Sequence, residues 1–395
     1  MSRVQLQCSQ ETADLNDAQI GDIRARIAAQ YQPARPEEAL QAIAAHSARQ
    51  RARLPTAPLA AIDRRGELAA YFDRPRVTAA PTSLGALYLD GRAYLHPPQT
   101  RHGPYPYPEA LRHGVYSVSK SLVGALALFH FAQRYGDALF DTPIAQHVPA
   151  LAERPEWQGV TFAHALNMAT GTAGSEAAEW LFQPLMMAAS KEVAIANIAR
   201  FGDGPGEPGE RFHYATTHFF VLSYALQNLV ETREGTGVRY WDLLREDVLR
   251  PIGAAQLDVL HTRDAQPGQR LPLLGYGARP NLDEALRIAR LIAAEGEHQG
   301  RQLLSRQKVR EALGRTPWPG YPTGDPALHY RHAFWSGELG TGACRVAVSY
   351  MQGHGSNHVL ILPGDALVVR FMDEADDDLD TLVDAVQRLR GACVD

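Results

Sequence analysis

Ser117 and Lys120 stand three residues apart in Tyr116-Ser117-Val118-Ser119-Lys120-Ser121, at the head of a run that stays small and apolar through Ala125, Ala127, Phe129 and Phe131 until Gly136. Residues three apart on a helix share a face, one turn from each other. A helix apolar on most sides belongs in an interior, so this spacing puts an amine beside a hydroxyl at the dry end of a core helix. A buried ammonium is costly, and the unpaired N–H groups and partial positive charge of a first helical turn disfavour a cation further. A neutral amine within reach of a Ser hydroxyl can take its proton and make it a nucleophile. The N–H of Ser117 can then face the oxyanion that attack on a carbonyl creates. The pattern predicts acyl transfer, with Ser117 as nucleophile and Lys120 as base.

The chain holds 39 Lys and Arg residues, yet only Lys120, Lys191 and Lys308 are lysines. Arg cannot serve as a base where Lys can, so a lysine at position 120 carries information. Ser305-Arg306-Gln307-Lys308 repeats the Ser-x-x-Lys spacing at the start of a charged amphipathic segment. There the pattern predicts Ser305 as a helix N-cap and Lys308 as a solvated residue.

Further along, a Gly- and Pro-rich loop over 202–209 leads into Glu210-Arg211-Phe212-His213-Tyr214-Ala215-Thr216-Thr217, which opens a helix through Phe219, Leu222, Leu226 and Val230. By itself Tyr214 reads as a packing aromatic; beside a cation it can relay a proton. Neighbours on an extended loop point to opposite sides, so His213 should face away if Tyr214 faces the site. His164, in a short capped helix over 160–171, has no second ligand at metal spacing and reads as structural. Asp376, Asp377 and Asp378 read as an acidic helix start rather than a metal site.

The elements that must position these groups follow from the pattern. Residues 1–60 read as a helical extension, with helices at 17–30 and 36–51 and a linker at 54–58. Residues 84–96 form two apolar runs about Asp90-Gly91, a hairpin signal. The stretch 136–313 is mainly helical and loop-rich. Strands follow at 343–351, 358–362 and 366–371, and a helix over 377–390 closes the chain. The expected organisation is an N-terminal extension (1–60), a sheet domain (61–135 with 314–395) and a mainly helical domain (136–313). A net charge of −5 excludes the basic footprint of a nucleic-acid binder. No apolar run spans a bilayer, and residues 1–7 lack the apolar core of a signal peptide. The expectation is a protein that is cytoplasmic as written, or periplasmic or secreted if a leader was removed. Cys8, Cys344 and Cys393 are too few for a disulfide framework or a zinc site. A Cys344–Cys393 bridge is one option, and free buried thiols are the expected state.

Taken in order, these segments resemble the serine β-lactamase and penicillin-binding-protein superfamily, whose marks include Ser-x-x-Lys. The likeness runs from about 83 to 390. It is greatest to the class C β-lactamase branch, with its family VIII carboxylesterases and 6-aminohexanoate-dimer hydrolases. Tyr116–Ser121 resembles the nucleophile motif, 208–216 the Tyr-x-Asn segment, and Gly353-His354-Gly355-Ser356-Asn357 the third motif. The resemblance implies an α/β (α+β) fold, an antiparallel sheet flanked by helices with a helical insertion. It implies Ser117 as nucleophile, Lys120 as base, Tyr214 as proton relay, and the N–H groups of Ser117 and Asn357 as the oxyanion hole. Thr216, His354, Gly355 and Ser356 would border the substrate. Three departures stand out: Thr216 replaces the usual Asn, His354 a Lys that grips carboxylates, and Ser356 a Gly. They favour hydrolysis of a small ester or amide over a β-lactam. A D-amino-acid peptidase, a β-lactamase-like enzyme or an acyltransferase are alternatives, and a non-catalytic ligand binder is the alternative of another class. No acidic residue resembles the deacylating Glu of class A enzymes, and no metal or organic cofactor is implied.

Overall fold

The computed structural model describes residues 2–9, 22–29, 39–73, 83–100, 103–105, 110–372 and 378–393. Its centre is a long sheet in which Tyr321–Pro322, Leu328–Arg331, Phe334–Leu339, Val346–Gly353, Asn357–Ile361, Leu367–Met372, Ser83–Leu89, Arg92–Thr100 and Thr56–Pro58 lie side by side in that order. All neighbours are antiparallel except the last pair, Thr56–Pro58 beside Arg92–Thr100. Strand alternation gives the sheet two buried faces. Leu84, Ala86, Val359, Ile361, Leu367, Val369 and Phe371 face one core together with the helices Leu126–Tyr135 and Leu282–Ala293. Their neighbours Leu87, Leu360 and Val368 face the other core, closed by Glu67–Phe72 and the C-terminal helix Leu379–Leu389. Arg370 is fully buried on that second side, where it lies over the Tyr71 ring and donates to its hydroxyl at 2.7 Å.

The predicted hairpin forms about Asp90-Gly91, and the C-terminal strands and closing helix stand where the pattern puts them. The N-terminal reading needs correction. The helix expected at 17–30 is instead a strand, Asp22–Ala29, paired antiparallel with Ser2–Ser9. Asp22-Ile23-Arg24-Ala25-Arg26-Ile27 alternates in polarity, a period-two signal that Ala-rich composition masked. The second expected helix forms as Ala39–Arg51. The linker at 54–58 contributes the sheet's parallel edge strand. Cys344 and Cys393 are joined, with Cα atoms 5.1 Å apart, rather than free; the turn Gly342–Cys344 lies under the C-terminal helix. Asp376 and Asp377 lie outside the described residues, while Asp378 caps that helix by accepting from Thr381 N.

A buried polar lock ties the sheet to the segment that walls the site. Asn167 Oδ1 accepts from His332 N, and Asn167 Nδ2 donates to His332 Nδ1. His332 therefore carries its proton on Nε2 and donates it to Glu311 Oε2 at 2.9 Å. Burial holds the His332 imidazole below its usual range, so it is neutral. Lys308 pairs with Glu311 at 3.0 Å and is largely covered, not solvated as its sequence context implied. Ser305 does cap that helix. Burial pushes the Glu311 carboxyl up, but the hydrogen bonds from His332, Lys308 and Gln307 outweigh it and hold the group at about 2. A carboxyl depressed in the folded state stabilises fully above its unfolded range and loses that contribution as pH falls through the folded value. Urea unfolding should show wild type above Glu311→Gln by about 2 kcal/mol near pH 6, with the gap closing between pH ~4.5 and ~2.

Candidate active site

An extended segment enters the interior through tight turns: Val118 N donates to Val115 O, Ser119 N to Tyr116 O and Lys120 N to Ser117 O. Tyr116 takes φ +44°, a left-handed conformation that costs a bulky residue about 1 kcal/mol or more. The fully buried Val115 and Val118 hold the turn on either side. A π-helical stretch, Lys120–Ala125, then precedes the regular helix Leu126–Tyr135. Such widened turns are rare and concentrate at functional sites. Among the described residues, the N–H of Ser117 has no acceptor.

Lys120 is 1% exposed, and its Nζ touches three oxygens: Ser117 Oγ at 2.7 Å, Thr216 Oγ1 at 2.7 Å and Gly275 O at 3.2 Å. The rings of Tyr214 and Phe219 complete its surroundings, with centroids 4.7 and 5.6 Å from Nζ. Gly275 reaches this close because it lacks a side chain: a Cβ there would stand 2.6 Å from Thr216 Cγ2. The Tyr214 ring is stacked near Trp335 and edge-on to Phe212. His213, as expected, turns away, its Nε2 2.6 Å from Gly174 O. His218, the other nearby imidazole, is buried and held down to about 3 by desolvation, then by the charges of His213 and Lys120. Its Nε2 meets the Thr170 and Thr172 hydroxyls.

The loop carrying Tyr214 and Thr216 is stitched to residues 168–174. His213 N donates to Met168 O, Gly209 N to Ala169 O and Gly204 N to Gly171 O. This stitching delivers a residue that sequence reasoning missed. Glu176 lines the cleft, accepting from Thr216 N at 2.7 Å and from Thr216 Oγ1 at 2.8 Å. Glu176 is not among the candidate site residues that the sequence points to. Glu176 lies in Gly174-Ser175-Glu176-Ala177-Ala178, with no spacing or periodicity to mark it. Only the pairing of two distant loops brings it in.

The cleft has a volume of about 740 Å³ and is lined by Tyr116, Ser117, Glu176, Tyr214, Thr216, Tyr276, Trp335, Gln352, Gly353 and His354, with an apolar wall of Ala178, Leu181, Phe182 and Met186. Of the third-motif residues, His354 borders it at the exposed mouth, edge-on to Tyr116. Gly355, Ser356 and Asn357 do not line it. Asn357 is fully buried and begins the next strand, its amide donating to His354 O at 2.6 Å. The backbone that borders Ser117 is Gly353, whose absent Cβ would stand 2.2 Å from Val115 O and 3.1 Å from Ser117 N. Among the described residues no cluster of His, Cys, Asp and Glu could hold a metal ion. No described helix is long and apolar enough to cross a membrane.

The half-buried Ser117 and the buried Lys120 thus stand at the head of a core helix, beside a Tyr-bearing loop and a strand end, in a chain whose sequence matches the Beta-lactamase family. That family's profile matches residues 41–350, and the chain belongs to it. No curated protein matches. Among solved structures, the chain is similar to a penicillin-binding protein homolog from Caulobacter crescentus (16% identity, 85% of this chain and 98% of that one, TM-score 0.60). It is also similar to a D-stereospecific amidohydrolase from a Streptomyces species (15% identity, 85% and 99%, TM-score 0.57). An octameric penicillin-binding protein homologue from Pyrococcus abyssi is a third (18% identity, 82% and 75%, TM-score 0.55). At these identities the likeness is one of fold.

Gly353→Ala tests the close packing behind Ser117. The new Cβ meets backbone, which cannot swing aside, so the turn must shift. Thermal unfolding should report a loss of about 1–3 kcal/mol, and acylation of Ser117 by an activated ester should slow by at least about tenfold.

Proposed function

We propose that the protein is a serine hydrolase, an esterase or amidase that cleaves a small uncharged ester or amide through an acyl-enzyme on Ser117. The 2.7 Å contact between Ser117 Oγ and a Lys120 Nζ closed off from solvent carries this reading. In the reactive form the amine is neutral. Ser117 Oγ attacks the substrate carbonyl carbon, and its proton passes to the Lys120 lone pair. The carbonyl π electrons move onto oxygen, where the Ser117 N–H receives them. The second donor to that oxygen belongs to the strand end Gly353–His354, the backbone that borders Ser117, rather than to Asn357.

Collapse of the tetrahedral species breaks the bond to the leaving alcohol or amine. Lys120 returns the proton to it with the Tyr214 phenol as relay, a role supported by the ring's place beside Nζ. Water then attacks the acyl-enzyme by the reverse proton route and frees Ser117. An alcohol or amine in place of water would make the same intermediate an acyl donor.

The lining favours an uncharged substrate. Among the described residues it contains one carboxylate, Glu176, and neither Lys nor Arg, so an anionic substrate finds no counter-ion among them. Aromatic and aliphatic side chains suit an apolar acyl or alcohol group. This argues against β-lactams, which carry a carboxylate. The Cys344–Cys393 bridge supports an oxidising compartment. Short-chain p-nitrophenyl esters should be hydrolysed with a burst, and Ser117→Ala should lower kcat by at least about 10³-fold. Equal rates for the two proteins would remove Ser117 from this role.

A further inference from the structure

Lys120 Nζ can act as a base only if its lone pair, and not an N–H, faces Ser117. A neutral amine has two N–H bonds and one lone pair. Three oxygens surround it, and the direction of each hydrogen bond decides which one the lone pair meets. Gly275 O is a carbonyl and can only accept. Ser117 Oγ and Thr216 Oγ1 are hydroxyls, each able to donate or accept. If both competed for the lone pair, Ser117 would be engaged only part of the time.

Glu176 removes that ambiguity. Its Oε2 takes the Thr216 hydroxyl hydrogen at 2.8 Å, and its Oε1 is pinned by Thr216 N at 2.7 Å. An ionised carboxylate only accepts, so the Thr216 hydroxyl has no hydrogen left for Lys120 and must accept from it. Both amine N–H bonds are then committed, to Thr216 Oγ1 and Gly275 O, and the lone pair is left for Ser117. We propose that Glu176 is a positioning residue that acts through Thr216 to aim the Lys120 lone pair at Ser117. It touches neither Lys120 nor the nucleophile. Its effect passes through one hydroxyl whose direction it sets. The proposal rests on the serine-hydrolase reading of the same site.

Glu176→Gln keeps the shape and breaks the logic. The glutamine NH₂ must face either Thr216 N–H, a donor against a donor, or Thr216 Oγ1. The second choice turns the hydroxyl hydrogen towards Lys120 and draws the lone pair away from Ser117. Glu176 is solvent-exposed, so the fold should tolerate the change. The direct readout is the rate at which a small neutral alkyl fluorophosphonate labels Ser117. In that step an Oγ–P bond forms, P–F breaks, fluoride leaves, and the Ser117 proton goes to Lys120. The expected result for Glu176→Gln is labelling slowed about 10- to 100-fold, the equivalent of one buried hydrogen bond misdirected. The kcat for a p-nitrophenyl ester should fall in parallel, while KM and the melting temperature stay near wild type. Thr216→Val should slow labelling at least as much, and Glu176→Gln combined with Thr216→Val should be no slower than Thr216→Val alone, because Glu176 has no other route to the amine. Unchanged labelling of Glu176→Gln would overturn the proposal. A raised KM with unchanged kcat would also overturn it, by making Glu176 a substrate contact. Multiplicative losses in the double variant would overturn it as well. Wild-type protein that fluorophosphonate does not label at Ser117 would overturn the hydrolase reading itself, an outcome distinct from these.

Discussion

The molecule is arranged so that one amine can be kept out of water beside one hydroxyl. Lys120 is shut in by aromatic rings and by segments that arrive from two separate parts of the chain, 214–219 and Gly275. An amine so placed needs acceptors for its hydrogens, since an unsatisfied buried polar group costs on the order of 1–3 kcal/mol. Gly275 O and Thr216 Oγ1 meet that need, and each depends on a local device. Gly275 depends on having no side chain, and Thr216 on the carboxylate that holds its backbone and hydroxyl together. The sheet supplies the remaining wall, because Gly353 lets a strand end press against the backbone of Ser117.

The fold serves this arrangement by rigidity. The helix that begins at Lys120 is buried along its first turns, so the amine cannot leave without disturbing the core. The wall bearing Glu176 is anchored twice. Backbone hydrogen bonds tie it to the Tyr214 loop, and the Asn167–His332–Glu311 chain ties the preceding helix to the sheet. A left-handed Tyr116 and a π-helical start are two of the structure's irregular features. Both sit at Ser117, where strain is tolerated because packing fixes the backbone on either side.

Much of this was legible in the sequence because it is local. Ser117 and Lys120 announce themselves by spacing and by the apolar run behind them. The Asp90-Gly91 hairpin and the alternating C-terminal strands follow from period-two patterning, and Ser305 reads as a cap from its charged context. What escaped was non-local or masked. Glu176 has no motif, because its position comes from hydrogen bonds between segments some forty residues apart, at 168–174 and 204–213. Asn357 drew attention as part of a motif, yet strand register buries it and leaves Gly353 and His354 at the cleft. The strand Asp22–Ala29 was hidden by alanines that score as helix formers. Pairing of Cys344 with Cys393 depends on a helix folding back over a turn 49 residues earlier, which spacing alone does not specify.

In the proposed mechanism Lys120 is a proton acceptor rather than a fixed positive charge. Lys120→Arg separates the two, since a guanidinium keeps the charge and the donors but takes no proton. The measurement is acyl-enzyme formation on Ser117, followed by peptide mass spectrometry after a millisecond quench with an activated ester, on variant protein whose melting curve shows it folded. The expected result is no acyl adduct on Ser117 in Lys120→Arg within the time wild type acylates fully. Acylation of Ser117 at the wild-type rate in that variant would contradict it.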